Sequence, residues 1–230
     1  MKILRSPSGC PWDREQTFTS IAPYTIEEAY EVKQAIDDND MDALKVELGD
    51  LLFQVVFHSE IAKAQRAFTI DDVCNSLVDK MVFRHPHVFS DADRPNWEDQ
   101  KALERKGGHL DGVALALPAL MRSQKLQKRA AGAGFDWPDI DGVMAKLDEE
   151  IAEYQDAESL EAAAEELGDL LFTIVNLCRH RGVDAESALR AANEKFEARF
   201  RFVEKSFDNL QDASLEEMET AWQKAKLAMG

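Results

Sequence analysis

The sequence predicts an all-α protein made of two homologous helical-bundle units. Three observations carry that fold class. Strand-type alternation of Val, Ile and Thr is absent, and Ala, Leu, Glu, Lys and Gln dominate. The segment ELGDLLF stands at 47–53 and again, unchanged, at 166–172. Other landmarks recur in the same order: IEEAYE (26–31) with DEEIAE (148–153), Lys80 and Arg84 with Lys195 and Arg199, Trp12 with Trp137, and Trp97 with Trp222. The offset between partners drifts between 115 and 125 residues, as loop insertions produce. The expected organisation is a first unit over 1–106, a linker over 107–118 and a second unit over 119–230, with glycines clustering at the joint in KGGHLDG (106–112).

Each element has a local reason. Thr25-Ile-Glu-Glu28, following Pro23, reads as a capping box that opens a helix over about 26–38, ending in the polar run Asp37-Asp38-Asn39-Asp40. A second helix covers about 42–65. Asp71 or Asp72 caps a third, which reaches about Phe83. Arg122, Lys125, Lys128 and Arg129 form a basic stripe on a helix near the joint, read as a solvated or inter-domain face. Matching helices of the second unit fall near 140–157, 160–181, 184–207 and 215–228, the last opened by the capping box Ser214-Leu-Glu-Glu217. Short connections imply antiparallel packing.

Charge and composition exclude several functions. The 230 residues carry 27 Lys+Arg against 44 Asp+Glu, a net charge of −17. That argues against nucleic acid and anionic membranes as partners, since both attract basic surfaces. The longest apolar stretch, Gly112 to Met121, is too short to span a bilayer and is interrupted by Pro118. The opening residues hold no apolar run of signal-peptide length. Cys10, Cys74 and Cys178 are odd in number and far apart, which predicts a reducing compartment, a cytoplasmic protein and cysteines in the core. No P-loop or nucleophile elbow occurs, and Ala131-Gly-Ala-Gly134 has no strand before it. His85-Pro86-His87 lacks a third ligand and reads as a structural turn.

The chemistry is predicted by acids. Glu28 with Glu31, and Glu47 with Asp50, are pairs at i and i+3; so are Glu150 with Glu153, and Glu166 with Asp169. Such pairs share a helix face, so each unit offers four carboxylates from two adjacent helices. Asp50 is followed by LLFQVVF and Asp169 by LLFTIV, runs apolar enough to predict mostly buried helices. Two like charges ~4 Å apart at an effective dielectric near 20 repel by roughly 4 kcal/mol. Four such groups call for protons, Lys/Arg or a divalent cation. Oxygen-only ligands with no His at i+3 favour Mg²⁺, or Mn²⁺, over iron. The competing reading is a solvated acidic face that suits the helix dipole.

These residues resemble a known family. GCPWDREQTF (9–18), IAPYTIEEAYEV (21–32), ELGDLLFQVVFHS (47–59), RHPHVF (84–89), LPALMRSQKLQKRA (117–130), GFDW (134–137) and ANEKFEARF (192–200) are similar to the all-α nucleoside triphosphate pyrophosphohydrolases, most closely MazG in its tandem-domain form. The resemblance covers almost the whole chain. It implies hydrolysis of nucleoside triphosphates between the α and β phosphates, Mg²⁺, a homodimer and broad base tolerance. It further implies Glu150, Glu153, Glu166 and Asp169 as metal ligands, and Lys146, Lys195, Arg199 and Trp222 as nucleotide contacts. Glu153 or Glu150 is the expected proton acceptor from water. Lys195 and Arg199 are one turn apart and suited to phosphate oxygens. Trp222 stacks a base or fills core. A second, weaker site is expected from Glu28, Glu31, Glu47, Asp50, Lys80, Arg84 and Trp97, because the first unit has Tyr24 opposite Lys146 and Val78 opposite Asn193. Two rival readings are a narrower substrate, such as dUTP or a modified nucleotide, and an acidic helical adaptor without chemistry.

Overall fold

The structure is a computed structural model and describes residues 1–90 and 107–229. Trp97, paired above with Trp222, lies outside the described residues. The described residues form α-helices and one 3₁₀ turn, and no strand occurs among them. The chain divides into two compact units, Met1–Glu104 and Arg105–Gly230.

The first unit contains α1 (Pro11–Glu15), α2 (Phe18–Asp37), α3 (Met41–Ala64), α4 (Ile70–Arg84) and α5 (Pro86–Phe89). Helix α2 begins well before the expected 26, so the capping box at Thr25 is corrected. The cap is Thr17, whose side chain accepts from Ser20 N while the Ser20 hydroxyl accepts from Thr17 N. Pro23 sits inside the helix, where it removes one backbone donor. Thr25 is therefore mid-helix, and its hydroxyl faces His58 Nε2 at 3.0 Å. Helix α4 is capped by Thr69 rather than Asp71 or Asp72; Asp72 supplies the returning carboxylate. Asp40 caps α3. Only three residues join α2 to α3, and these two helices pack most extensively. Their shared core is Ile21, Phe57 and Ile61, with Met1 and Phe18 against it.

The second unit contains α6 (Ala119–Gly132), α7 (Ile140–Asp156), α8 (Leu160–His180), α9 (Ala185–Glu204) and α10 (Leu215–Met229). Helix α9 stops at Glu204, short of the expected 207, where Lys205 forms the C-cap. Asp139, Ser159 and Asp184 cap α7, α8 and α9, and the Ser214–Glu217 box opens α10 as expected. Helices α7 and α8 form the counterpart of α2 and α3, again with a three-residue connection. Helix α6 packs on α8 and α9. Gln124 binds both the Val183 carbonyl and the Ala185 N–H, and Gln127 Nε2 donates to the Phe172 carbonyl at 2.8 Å.

Two sequence expectations about burial fail. Cys74 is exposed and Cys10 and Cys178 half-buried, because α4 has no buried residue and the other two lie at element ends. The ELGDLLF helices are also not mostly buried. Leu48, Leu52 and Val55 of α3, and Leu167, Leu171 and Ile174 of α8, are exposed, with Leu52 at 61% and Leu171 at 56%. Each helix packs one side on its own unit and leaves a stripe at i, i+4 and i+7 uncovered.

The segment before α7 is fastened to the end of α8. Arg179 makes two hydrogen bonds to the Asp136 carboxylate, one at 2.9 Å, and His180 Nε2 lies 3.1 Å from it. The Arg179 guanidinium holds the Asp136 carboxyl below its ordinary range, and His180 adds to the effect. Stability from this contact is fully present above the ordinary aspartate pKa of about 3.9 and is lost as pH falls through the lowered value. Asp136→Asn should therefore cost about 1 kcal/mol at pH 7 and nothing well below pH 3, measured by urea unfolding across pH.

Helix ends give a second test. Helix α8 ends with Gly182 at φ +69, and Val183 N binds the Cys178 carbonyl. Helix α3 ends the same way, but with Arg66 at φ +59. A side chain in that region costs about 1 kcal/mol. Arg66→Gly should raise the unfolding free energy by about 0.5–1 kcal/mol, read from the urea midpoint.

Candidate active site

Helix pairing brings acids from two neighbouring helices together in each unit. In the second unit, carboxylate oxygens of Glu150, Glu153 and Glu166 lie within 4.8 Å of one another. Glu150 is buried at 3% exposure, Glu166 half-buried and Glu153 exposed. Asp169 is exposed and stands outside this trio, yet its charge is felt there. Burial, then the charges of Glu153, Glu150, Asp169 and Glu165, push the Glu166 carboxyl above its ordinary range.

Among the described residues, Lys146 is the cation paired with these acids. Lys146 Nζ sits 2.7 Å from Glu150 Oε1 and 2.8 Å from Glu149 Oε1. The hydrogen bond to Glu149, then that to Glu150, raises the Lys146 pKa well above its ordinary value. A buried carboxylate needs such a partner. Lys146 lies one turn before Glu150 because i and i+4 share a face.

In the first unit, Glu28, Glu47 and Asp50 also have oxygens within 4.8 Å of one another, and Glu31 stands outside the trio. Burial, then Glu31 and Asp50, raise the pKa of both Glu28 and Glu47. Tyr24 occupies the place of Lys146 and packs edge-on against Trp12 at 6.3 Å. Glu28 is met instead by the Gln54 amide at 3.5 Å. The same crowding is thus present with no cation one turn away on α2.

The basic and aromatic candidates sit on other helices. Lys195 is exposed on α9. Arg199, one turn on, is half-buried, and its Nε is buried without a hydrogen-bond partner. Trp222 of α10 is half-buried and packs on Phe196 at 5.3 Å, with the ring planes tilted 51°. In the first unit, Lys80 is exposed on α4 and Arg84 half-buried at its end. His85 ends α4 and precedes Pro86, the first residue of α5, and its Nδ1 lies 2.8 Å from the Met81 carbonyl, as a turn residue does.

Sequence reasoning missed one feature. A cavity of about 570 Å³ opens between α6, α8 and the segment before α7. Gln127, Phe135, Trp137, Phe172, Asn176 and Arg179 line it. Trp137 is seated by Gly142, where a Cβ would fall 2.3 Å from the indole. The signal available in the sequence was the Asn176 that interrupts an otherwise apolar run.

Comparison with known proteins agrees with this architecture. The model of the MazG nucleotide pyrophosphohydrolase domain matches twice, over residues 16–89 and 140–203, and each match contains one acidic helix pair. A nucleoside triphosphate pyrophosphohydrolase of Escherichia coli K12 is 49% identical, with 98% of this chain and 94% of that protein covered. The nucleoside triphosphate pyrophosphohydrolase/pyrophosphatase MazG of Thermotoga maritima is 45% identical, over 98% and 92%. The YabN protein of Bacillus subtilis is 43% identical over 98% of this chain, which spans half of that longer protein. With its two acidic hairpins and these matches, the chain belongs to the MazG nucleotide pyrophosphohydrolase family, a family of enzymes.

Proposed function

We propose that the second unit hydrolyses nucleoside triphosphates between the α and β phosphates, giving the monophosphate and pyrophosphate. The observation that carries this is the trio Glu150, Glu153 and Glu166, whose oxygens converge within 4.8 Å while, among the described residues, Lys146 alone is ion-paired with one of them. An all-oxygen donor set of this kind fits Mg²⁺, with Mn²⁺ as substitute, and Asp169 lies on the same face to complete it. When bound, the ion neutralises phosphate charge and acidifies water.

The remaining work belongs to side chains. Lys146 holds Glu150 in place, which leaves Glu153 as the better placed acceptor for a proton from water. Lys195 and Arg199 present cations one turn apart for phosphate oxygens. Trp222, packed on Phe196, is our candidate for an aromatic contact with the base. The first unit repeats the acids but lacks the Lys146 equivalent, and we assign it a weaker or structural role. An adaptor without chemistry has no use for carboxylates crowded in this way. The free cysteines suit a reducing cytoplasm, and no helix among the described residues is long and apolar enough to cross a membrane.

The uncovered stripes on α3 and α8 favour a homodimer, since exposed apolar rows of this kind mark interfaces. A charge in the stripe should break it. Sedimentation equilibrium is expected to show a dimer for the native chain and a monomer for Leu171→Asp.

The reaction is tested by ³¹P NMR with ATP and Mg²⁺. Pyrophosphate and AMP are the expected products; orthophosphate and ADP would mean a different bond. Glu166→Gln should lower kcat roughly a hundredfold or more, whereas Glu47→Gln should leave it within about twofold. Because Glu166 is crowded by like charges, the same Glu166→Gln change should raise the melting temperature in metal-free buffer.

A further inference from the structure

Lys146 holds two carboxylates that are adjacent in sequence and unlike in setting. Its Nζ lies 2.7 Å from Glu150 Oε1 and 2.8 Å from Glu149 Oε1. Glu150 is buried and belongs to the trio of converging oxygens, whereas Glu149 stands outside that trio with 56% of its side chain exposed. One helix makes both contacts, because Glu149 and Glu150 follow Lys146 by three and four residues on α7.

The two contacts differ in what they are for. A buried carboxylate that loses its partner is strongly destabilising, so the Glu150 contact is accounted for by folding. An exposed pair at i and i+3 contributes little to stability. The Glu149 contact even divides the ammonium between two acceptors, which weakens its hold on the buried one. Stability alone gives no reason for it.

A reason appears when the trio takes a divalent cation. Glu150 cannot serve that ion and an ammonium together without setting two like charges side by side. Lys146 then has to give up Glu150. With no second anion in reach, its attraction for Glu150 would compete with the ion. Glu149 is that second anion, and it already accepts a hydrogen bond from the same nitrogen. Lys146 can therefore leave Glu150 without breaking its other hydrogen bond, and it stays beside the acids.

We propose that Glu149 is a positioning residue for Lys146, drawing the ammonium off Glu150 so that the carboxylate is released to the divalent cation. This rests on the metal-binding reading of the trio given above. The first unit has the same adjacent acids, Glu27 and Glu28, but Tyr24 stands at the lysine position, so the exchange is a property of the second unit. A carboxylate near the trio also attracts a cation through its charge alone. Glu165 separates that effect from positioning. It is exposed on α8 and its charge is felt at Glu166, yet it is not one of the two carboxylates that Lys146 holds.

The test measures Mn²⁺ binding to the full-length protein from the EPR signal of the free ion. Glu28→Gln and Glu47→Gln are present throughout, so that the uptake read is that of the second unit. Adding Glu149→Gln should weaken binding about fivefold or more, and adding Glu165→Gln less than about twofold. Lys146→Gln should tighten binding about fivefold or more, and in that background Glu149→Gln should change it by less than about twofold. The urea midpoint of the Glu149→Gln protein in EDTA should match that of its parent. Equal weakening by Glu149→Gln and Glu165→Gln would mean that charge alone acts, and overturns the proposal. So does a Glu149 effect that persists undiminished without Lys146. Unchanged binding with a lowered urea midpoint makes Glu149 a structural residue and overturns it as well. If Lys146→Gln does not fold, the comparison of Glu149 with Glu165, both exposed, decides by itself. A parent that takes up no Mn²⁺ refutes the metal-binding reading and the exchange with it. The expected binding pattern, in a native protein that releases no pyrophosphate from ATP with Mg²⁺, refutes the reaction and keeps the exchange.

Discussion

Repulsion among carboxylates is the constraint around which each unit is arranged. Two helices joined by three residues hold three acids within 4.8 Å, and the burial of Glu150 and the raised pKa of Glu166 and Glu47 are the marks of that crowding. Such a cluster is unfavourable for folding and persists only when the rest of the hairpin outweighs it. The opposing terms are visible: capped helix starts at Asp139 and Ser159, the apolar seam around Val143 and Val175, and the Lys146 contact.

The two units solve the same problem differently. The second keeps a lysine beside its buried glutamate and an open cavity beside its tryptophan. The first has a tyrosine in the lysine's place, a glutamine against Glu28, and a phenylalanine packed where the second has an asparagine. Two of these changes put a ring against Trp12 where the second unit has a polar side chain, whereas the glutamine keeps a polar contact to Glu28.

Much of this was readable in the residues. The duplicated ELGDLLF segment and the drifting offsets exposed the repeat, and the helix content followed from composition. The acid pairs were found because i and i+3 spacing is a local property. Helix starts were harder. The Thr25 box looked convincing, but Pro23 was read as a helix boundary, whereas α2 runs through it from a cap at Thr17 that pairs with a serine rather than a glutamate. The cavity was not readable, because it depends on α6 and α8 meeting across 45 residues of sequence at Gln127 and Phe172. Burial was misjudged for a related reason: apolar content says that a helix wants cover, not which molecule supplies it.

The hairpin construction has a consequence for how the protein comes into being. Both acidic pairs are made by helices that are neighbours in sequence, so the contacts that define each centre need little chain entropy to form. Assembly of such a hairpin is fast and local. The first unit can thus acquire its shape during synthesis, while the residues of the second are still being added at the ribosome.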